Sequence, residues 1–160
     1  MDLLESIVER FDKQRREKPF CSRFQKWSRK QLKPLVKRFV RRGDADLTDL
    51  AKLHKFRIAS KRLRYGLELV WGSLDKRLRK RAYKQLDRLQ MQLGSINDTH
   101  NLIVEIDHAL QAVKKRTLQA QLRRLLSTEQ RRLTTAQALW VENWSGKKAR
   151  RLERTLKQLV

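Results

Sequence analysis

Leu53-His54-Lys55-Phe56-Arg57-Ile58-Ala59-Ser60-Lys61-Arg62-Leu63-Arg64-Tyr65-Gly66-Leu67-Glu68 sets two kinds of side chain on two sides of one helix. At helical period Leu53, Phe56, Ser60, Leu63, Leu67, Val70 and Trp71 share a side that can enter a core. His54, Arg57, Lys61, Arg64 and Glu68 recur at three- and four-residue steps on another. Like charges at that spacing destabilise a helix by about 0.2–0.5 kcal/mol per pair, and nothing in packing requires them. The stripe therefore reads in two ways, as a site for an anion or as long basic side chains that merely solvate a face. Spacing alone leaves the two even.

The same rhythm runs outward in both directions. Toward the N-terminus, Leu4, Ile7, Val8 and Phe11 predict a short amphipathic helix over 4–15, ended or interrupted at Lys18-Pro19. A second helix is expected from about Cys21 to Arg41, with Phe24, Trp27, Leu35, Val36 and Phe39 as its apolar side and Pro34 as the cause of a kink. Arg42-Gly43-Asp44-Ala45 is a turn, and Asp46 or Thr48 suits the cap of the helix that carries the stripe. Gly72-Ser73-Leu74-Asp75 breaks that helix.

Beyond it, Leu78, Ala82, Leu86, Leu89 and Leu93 predict a helix over 76–93, with Gly94 just past its end and Asn97 or Asp98 capping a successor over 99–113. That successor buries Leu102, Ile103, Ile106 and Leu110. A long helix over 116–144 follows, with Leu118, Leu122, Leu125, Leu126, Leu133, Ala136 and Trp140 inward, and a terminal helix carries Leu152, Leu156 and Leu159. The expected fold is all-α, an antiparallel bundle of six or seven helices in a single domain over 1–160.

The chain carries 40 Lys and Arg against 17 Asp and Glu, a net charge of +23. The excess is spread along the chain instead of being held in a tail, so the cations sit on folded helices. Nucleic acid, an anionic membrane surface and an inorganic phosphate polymer are all admissible partners. Cys21 is the only cysteine, which excludes an intrachain disulfide and a thiolate metal site and fits a reducing, cytoplasmic setting. No signal peptide and no membrane-length apolar run is found in the sequence.

Most catalytic chemistry finds no footing. No glycine pair has phosphate-loop spacing. His54, His100 and His108 are the only histidines, and His100 and His108 are too far apart to share one metal, so they read as surface or boundary residues and no metal or cofactor is expected. Glu68, Asp98, Glu105 and Asp107 are too scattered to hold a divalent ion for triphosphate hydrolysis. Glu68 is expected to pair with Arg64, and Asp98 to cap a helix or accept from an arginine of the stripe.

Leu53-His54-x-x-Arg57-Ile58-x-x-Lys61-Arg62-Leu63-Arg64-Tyr65-x-x-Glu68, followed by Leu89-Gln90-x-x-Leu93-Gly94-x-x-Asn97-Asp98, resembles the second half of a CHAD domain, the conserved histidine alpha-helical domain. The resemblance is centred on about 47–110. It implies two similar helical halves around a basic channel that binds inorganic polyphosphate, with His54, Arg57, Lys61 and Arg64 as ligands and Arg62 and Lys55 as lesser contributors. His54 can donate to a phosphate oxygen, and a bound anion favours its protonation. The chain ahead of His54 has no histidine and no equivalent helix. Either the sequence is a fragment, or two copies complete the channel about a two-fold axis; a homodimer is expected, with Trp27, Trp71, Trp140 and Trp144 as further motive.

The leading expectation is non-enzymatic binding of polyphosphate or another polyanion. Nonspecific nucleic-acid binding is the alternative, though the aromatics fall on apolar faces and do not interleave with cations. An accessory module to a phosphate-polymer enzyme is another. In the first case, charge removal at Arg57, Lys61 and Arg64 weakens binding far more than the same change at Arg150 or Arg151.

Overall fold

A computed structural model of the chain describes residues 18–144 and 146–160. The elements are α1 (Lys18–Gly43), α2 (Leu50–Leu69), a 3-10 turn (Trp71–Ser73), α3 (Lys76–Ala112), α4 (Arg116–Trp144) and α5 (Lys147–Leu159). The all-α expectation holds, but the described residues form five helices and not six or seven. The helix expected over 4–15 lies outside the described residues. The two helices expected on either side of Gly94 are one.

That fusion has a physical cause. Ala82, Leu86, Leu89, Leu93 and Ile96 continue the buried stripe at alternating four- and three-residue steps straight through Gly94. An interior glycine costs a helix about 1 kcal/mol relative to alanine, too little to end one whose apolar face keeps its phase. Asn97 and Asp98 therefore stand in the middle of α3 and cap nothing. The actual cap of α3 is Asp75, whose carboxylate accepts from the backbone amides of Arg77 and Leu78. At the start of α2 the cap is likewise not Asp46 or Thr48 but Asp49, which accepts from Ala51 and Lys52. Asp46 instead closes the preceding turn by accepting from the Thr48 amide and hydroxyl.

Helix α2 lies between α1 and α3, and α5 fills the remaining side against α1 and α3. Leu53, Phe56, Leu63 and Leu67 of α2 are buried, together with Leu32, Val36 and Phe39 of α1 and Leu152, Leu156 and Leu159 of α5. Gly66 lets α1 approach: a Cβ there would stand 2.6 Å from Leu35 Cδ1. At the other end of α2, Phe56 meets Phe39 at 5.0 Å, Trp144 at 5.4 Å and Trp140 at 6.1 Å, an aromatic knot that ties α4 to α1 and α2. Gln137 adds a polar tie by donating to the carbonyls of Leu47 and Thr48. Trp140 and Trp144 thus belong to this core, whereas Trp27 is exposed and stacks on Phe24, also exposed.

The far ends of α3 and α4 depart from expectation. Of Leu102, Ile103, Ile106 and Leu110, only Ile106 is buried, and Leu118 and Leu125 of α4 are exposed. Helix α3 has 37 residues, about 55 Å at 1.5 Å per residue, and α2, α1 and α5 are too short to cover all of it. Among the described residues the last turns of α3 and the first turns of α4 therefore project as a two-helix hairpin. No described helix is long and apolar enough to cross a membrane.

Candidate functional site

Helices α2 and α3 run antiparallel, and three residues spaced seven apart on α3, Tyr83, Gln90 and Asn97, each bond to α2. Tyr83 donates to Glu68 Oε1 at 2.8 Å and accepts from Arg64 Nη1 at 2.9 Å. Gln90 accepts from Arg64 Nε at 2.9 Å and donates to the Ser60 carbonyl at 3.1 Å. Asn97 Oδ1 lies 3.0 Å from His54 Nδ1. A seven-residue step keeps one helix face turned to one neighbour, so this polar ladder runs beside the apolar seam and fixes the register of the two helices.

The ladder divides the six basic candidates. Arg64 is absorbed by the fold: Glu68 Oε1 is 2.7 Å from Nη1, and the guanidinium carbon is 4.9 Å from the Tyr65 ring centroid and 5.7 Å from that of Tyr83. Burial works against its charge, but the Tyr83 hydroxyl and the Glu68 carboxylate outweigh it and hold its pKa above the ordinary arginine value. The Arg64–Glu68 pairing expected from the sequence is therefore present. Lys61 is half-buried with Nζ 5.9 Å from the Tyr65 centroid. Arg62 is exposed.

His54, Lys55 and Arg57 gather at the other end of the ladder. They line a groove of about 550 Å³ between the start of α2 and the middle of α3, together with Asn97, His100 and Asn101. Its remaining walls are apolar, from Leu50, Leu53, Leu93 and Ile96, and no carboxylate lines it. Lys61, Arg62 and Arg64 do not line this groove. Asn97 orients the His54 imidazole: an amide oxygen can only accept, so Nδ1–H donates to it and Nε2 is the ring nitrogen this contact leaves unused. Asp98, offered as an acceptor for the stripe, is exposed, and its neighbour Asn97 makes the contact across to α2.

Asn97, His100, Asn101, Gln90 and Tyr83 were missed as site residues. A step of seven from Asn97 back to Gln90 and Tyr83 was the available signal, hidden by the expected break at Gly94. Beside the ladder the Ser60 hydroxyl is fully buried without a hydrogen-bond partner. Among the described residues no group of three or more His, Cys, Asp or Glu could hold a metal ion.

A family model for the CHAD domain matches residues 2–106. The chain belongs to the CHAD domain family. The CHAD match contains α1, α2 and most of α3, so it starts well ahead of the 47–110 stretch on which the resemblance was centred. It holds both halves of the His54–Asn97 contact. Searches among curated proteins and solved structures returned no match.

Positive charge also gathers elsewhere in this CHAD chain. Arg88, Lys148 and Arg151 line one groove between α3, α4 and α5, and Arg81, Lys147, Arg151 and Arg154 line another. Arg151 is common to both.

Proposed function

We propose that this protein binds inorganic polyphosphate, without catalysis, on the α2–α3 face that begins at the His54 groove and continues past Arg57 to Lys61. The observation that carries the reading is a groove with His54, Lys55 and Arg57 on its walls, no acid to neutralise them, and an imidazole oriented from behind by Asn97. The Arg57 guanidinium and the Lys55 ammonium offer charge-assisted donors to phosphate oxygens, the imidazolium form of His54 adds an Nε2–H donor beside the Nδ1–H held by Asn97, and membership of the CHAD domain family supports the choice of ligand. Arg64 contributes by holding the two helices in register, and Arg62 adds only long-range attraction.

A second copy completes the site. The projecting hairpin leaves Leu102, Val104, Leu118 and Leu125 exposed, and the groove opens beside Asn97, His100 and Asn101, where that hairpin begins. Apolar surface next to an open basic groove suits a homodimer whose two grooves face one channel.

The test is a titration with polyphosphate of defined length, read by native mass so that stoichiometry and oligomeric state emerge together. Arg57→Gln with Lys61→Gln is expected to weaken binding about tenfold or more, against less than about threefold for Arg123→Gln with Arg150→Gln. Equal losses for the two pairs make the groove ordinary surface charge. Displacement by nucleic acid at equal phosphate concentration favours a general polyanion binder.

A further inference from the structure

Helix α3 has a second polar face, turned away from α2. Arg81, Gln85, Arg88 and Gln92 follow one another at four-, three- and four-residue steps and line the two grooves that α3 forms with α4 and α5. Helix α5 answers with a matching stripe, Lys147, Arg151, Arg154 and Gln158, at the same steps. None of these residues lines the His54 groove. The CHAD match ends at residue 106, ahead of α4 and α5, so it does not cover the helices that complete this face. The α5 stripe works against its own helix, because like charges at three- and four-residue steps repel and no acidic residue stands in the first turn to offset them. Glu153, the one acid of α5, is paired with Lys157 at 2.6 Å, and no carboxylate lines either groove.

The two grooves differ in kind. The first, of about 460 Å³, has two indoles and two leucines among its walls; Trp144 is the most accessible of the four, half-buried where Trp140 and the leucines are buried. Gln85 and Gln92 line the same groove, and their amides make no hydrogen bond among the described residues. The second groove, of about 540 Å³, has no aromatic wall and carries Arg81, Lys147, Arg151 and Arg154. Arg151 lines both, so the two adjoin. Apolar walls with uncommitted amides suit a flat ring that has hydrogen-bonding edges, and a groove of four cations suits a short run of phosphates. A phosphate chain alone makes no use of the first groove, and an uncharged ring makes none of the second.

We propose that these adjoining grooves form one binding site for a nucleoside polyphosphate, with the base against Trp144 beside Gln85 and Gln92 and the phosphates on Arg81, Lys147, Arg151 and Arg154. Side chains hold the phosphates, so the site needs no glycine-rich loop. It is separate from the His54 groove and does not depend on which anion that groove takes.

The probes are adenosine triphosphate and inorganic tripolyphosphate, which has at least as much charge and no base, titrated by calorimetry at about 0.15 M salt without divalent metal. The full chain with Arg57→Gln and Lys61→Gln is used, so that the His54 face does not compete. Adenosine triphosphate is expected to bind about tenfold tighter than tripolyphosphate. Adding Arg151→Gln lowers affinity for both about tenfold, whereas adding Gln85→Ala with Gln92→Ala lowers it for the nucleotide alone. Trp144 belongs to the aromatic knot and is left in place, and unchanged helicity verifies folding of the variants. Tripolyphosphate that binds as tightly as the nucleotide overturns the site and makes the grooves a general anion patch. Nucleotide affinity that is absent, or unmoved by Arg151→Gln, overturns it as well. Wild-type protein that binds no polyphosphate but shows the expected nucleotide pattern overturns the proposed function and leaves this site standing.

Discussion

Arg57 and Arg64 are seven residues apart on one stripe, yet they answer different questions. Arg64 is held by Glu68, Tyr83 and Gln90, so Arg64→Gln is expected to destabilise the fold by about 1.5–3 kcal/mol, the range for hydrogen bonds to a charged group. Arg57→Gln should leave chemical denaturation unchanged and reduce only polyphosphate affinity. Urea midpoints for the two variants, measured beside their affinities, distinguish a positioning residue from a ligand. Ser60 supplies a third residue-scale case. Its buried hydroxyl has no partner, and Ser60→Ala is expected to raise stability by about 1 kcal/mol through removal of that group and the better helix propensity of alanine; a loss of stability would mean that the hydroxyl is bonded in solution. The cationic stripe was legible from spacing, but which of its members are free was not, because Tyr83, Gln90 and Asn97 reach it from a helix that follows later in the chain.

The start of α2 aims His54 into the groove, and it depends on a carboxylate. Asp49 accepts from the backbone amides of Lys52 and Ala51, and these bonds hold its pKa below the usual carboxylate value. The sign follows: a depressed folded-state pKa adds stability that is complete above the unfolded value and is lost as pH falls through the folded one. Asp49→Ala is expected to lower the melting temperature at neutral pH by roughly 2–4 °C. Asp49→Asn keeps a cap without a titrating group, so its melting curve should lose less on acidification than that of the wild type. Among the described residues helical character was readable from 3.6-residue periodicity, and α4 and α5 fall where expected. The ends were less readable. Gly94 looks like a stop signal, and only the unbroken phase of Leu86, Leu89, Leu93 and Ile96 shows that packing overrides it.

Charge and shape act on the scale of the molecule. With a net charge of +23, attraction for any polyanion is expected to weaken steeply as salt shortens the screening length from about 10 Å at 0.1 M. Removing Arg57 and Lys61 should make the residual binding resemble that of nucleic acid in its salt response. The projecting hairpin is the expected dimer contact: sedimentation at moderate salt should show a dimer, and Leu118→Glu with Leu125→Glu should give a monomer of unchanged helicity with weaker polyphosphate binding. A wild-type monomer that binds polyphosphate with full affinity would remove the dimer from the account. The apolar pattern of Leu102, Leu118 and Leu125 was visible in the sequence, but periodicity marks a face as apolar without saying that a neighbour is present to cover it.

By itself the sequence determined the all-helical class, the cationic stripe on α2 and the second motif on α3, because each depends on residues close together in the chain. Only the tertiary structure decided what these local features are for. The register of α2 against α3 brings Asn97 to His54 across a separation of 43 residues, ties Arg64 to Tyr83 and Gln90 and leaves Arg57 to line the groove. Register is a property of two packed helices, set by the seam between them, and neither helix alone contains it.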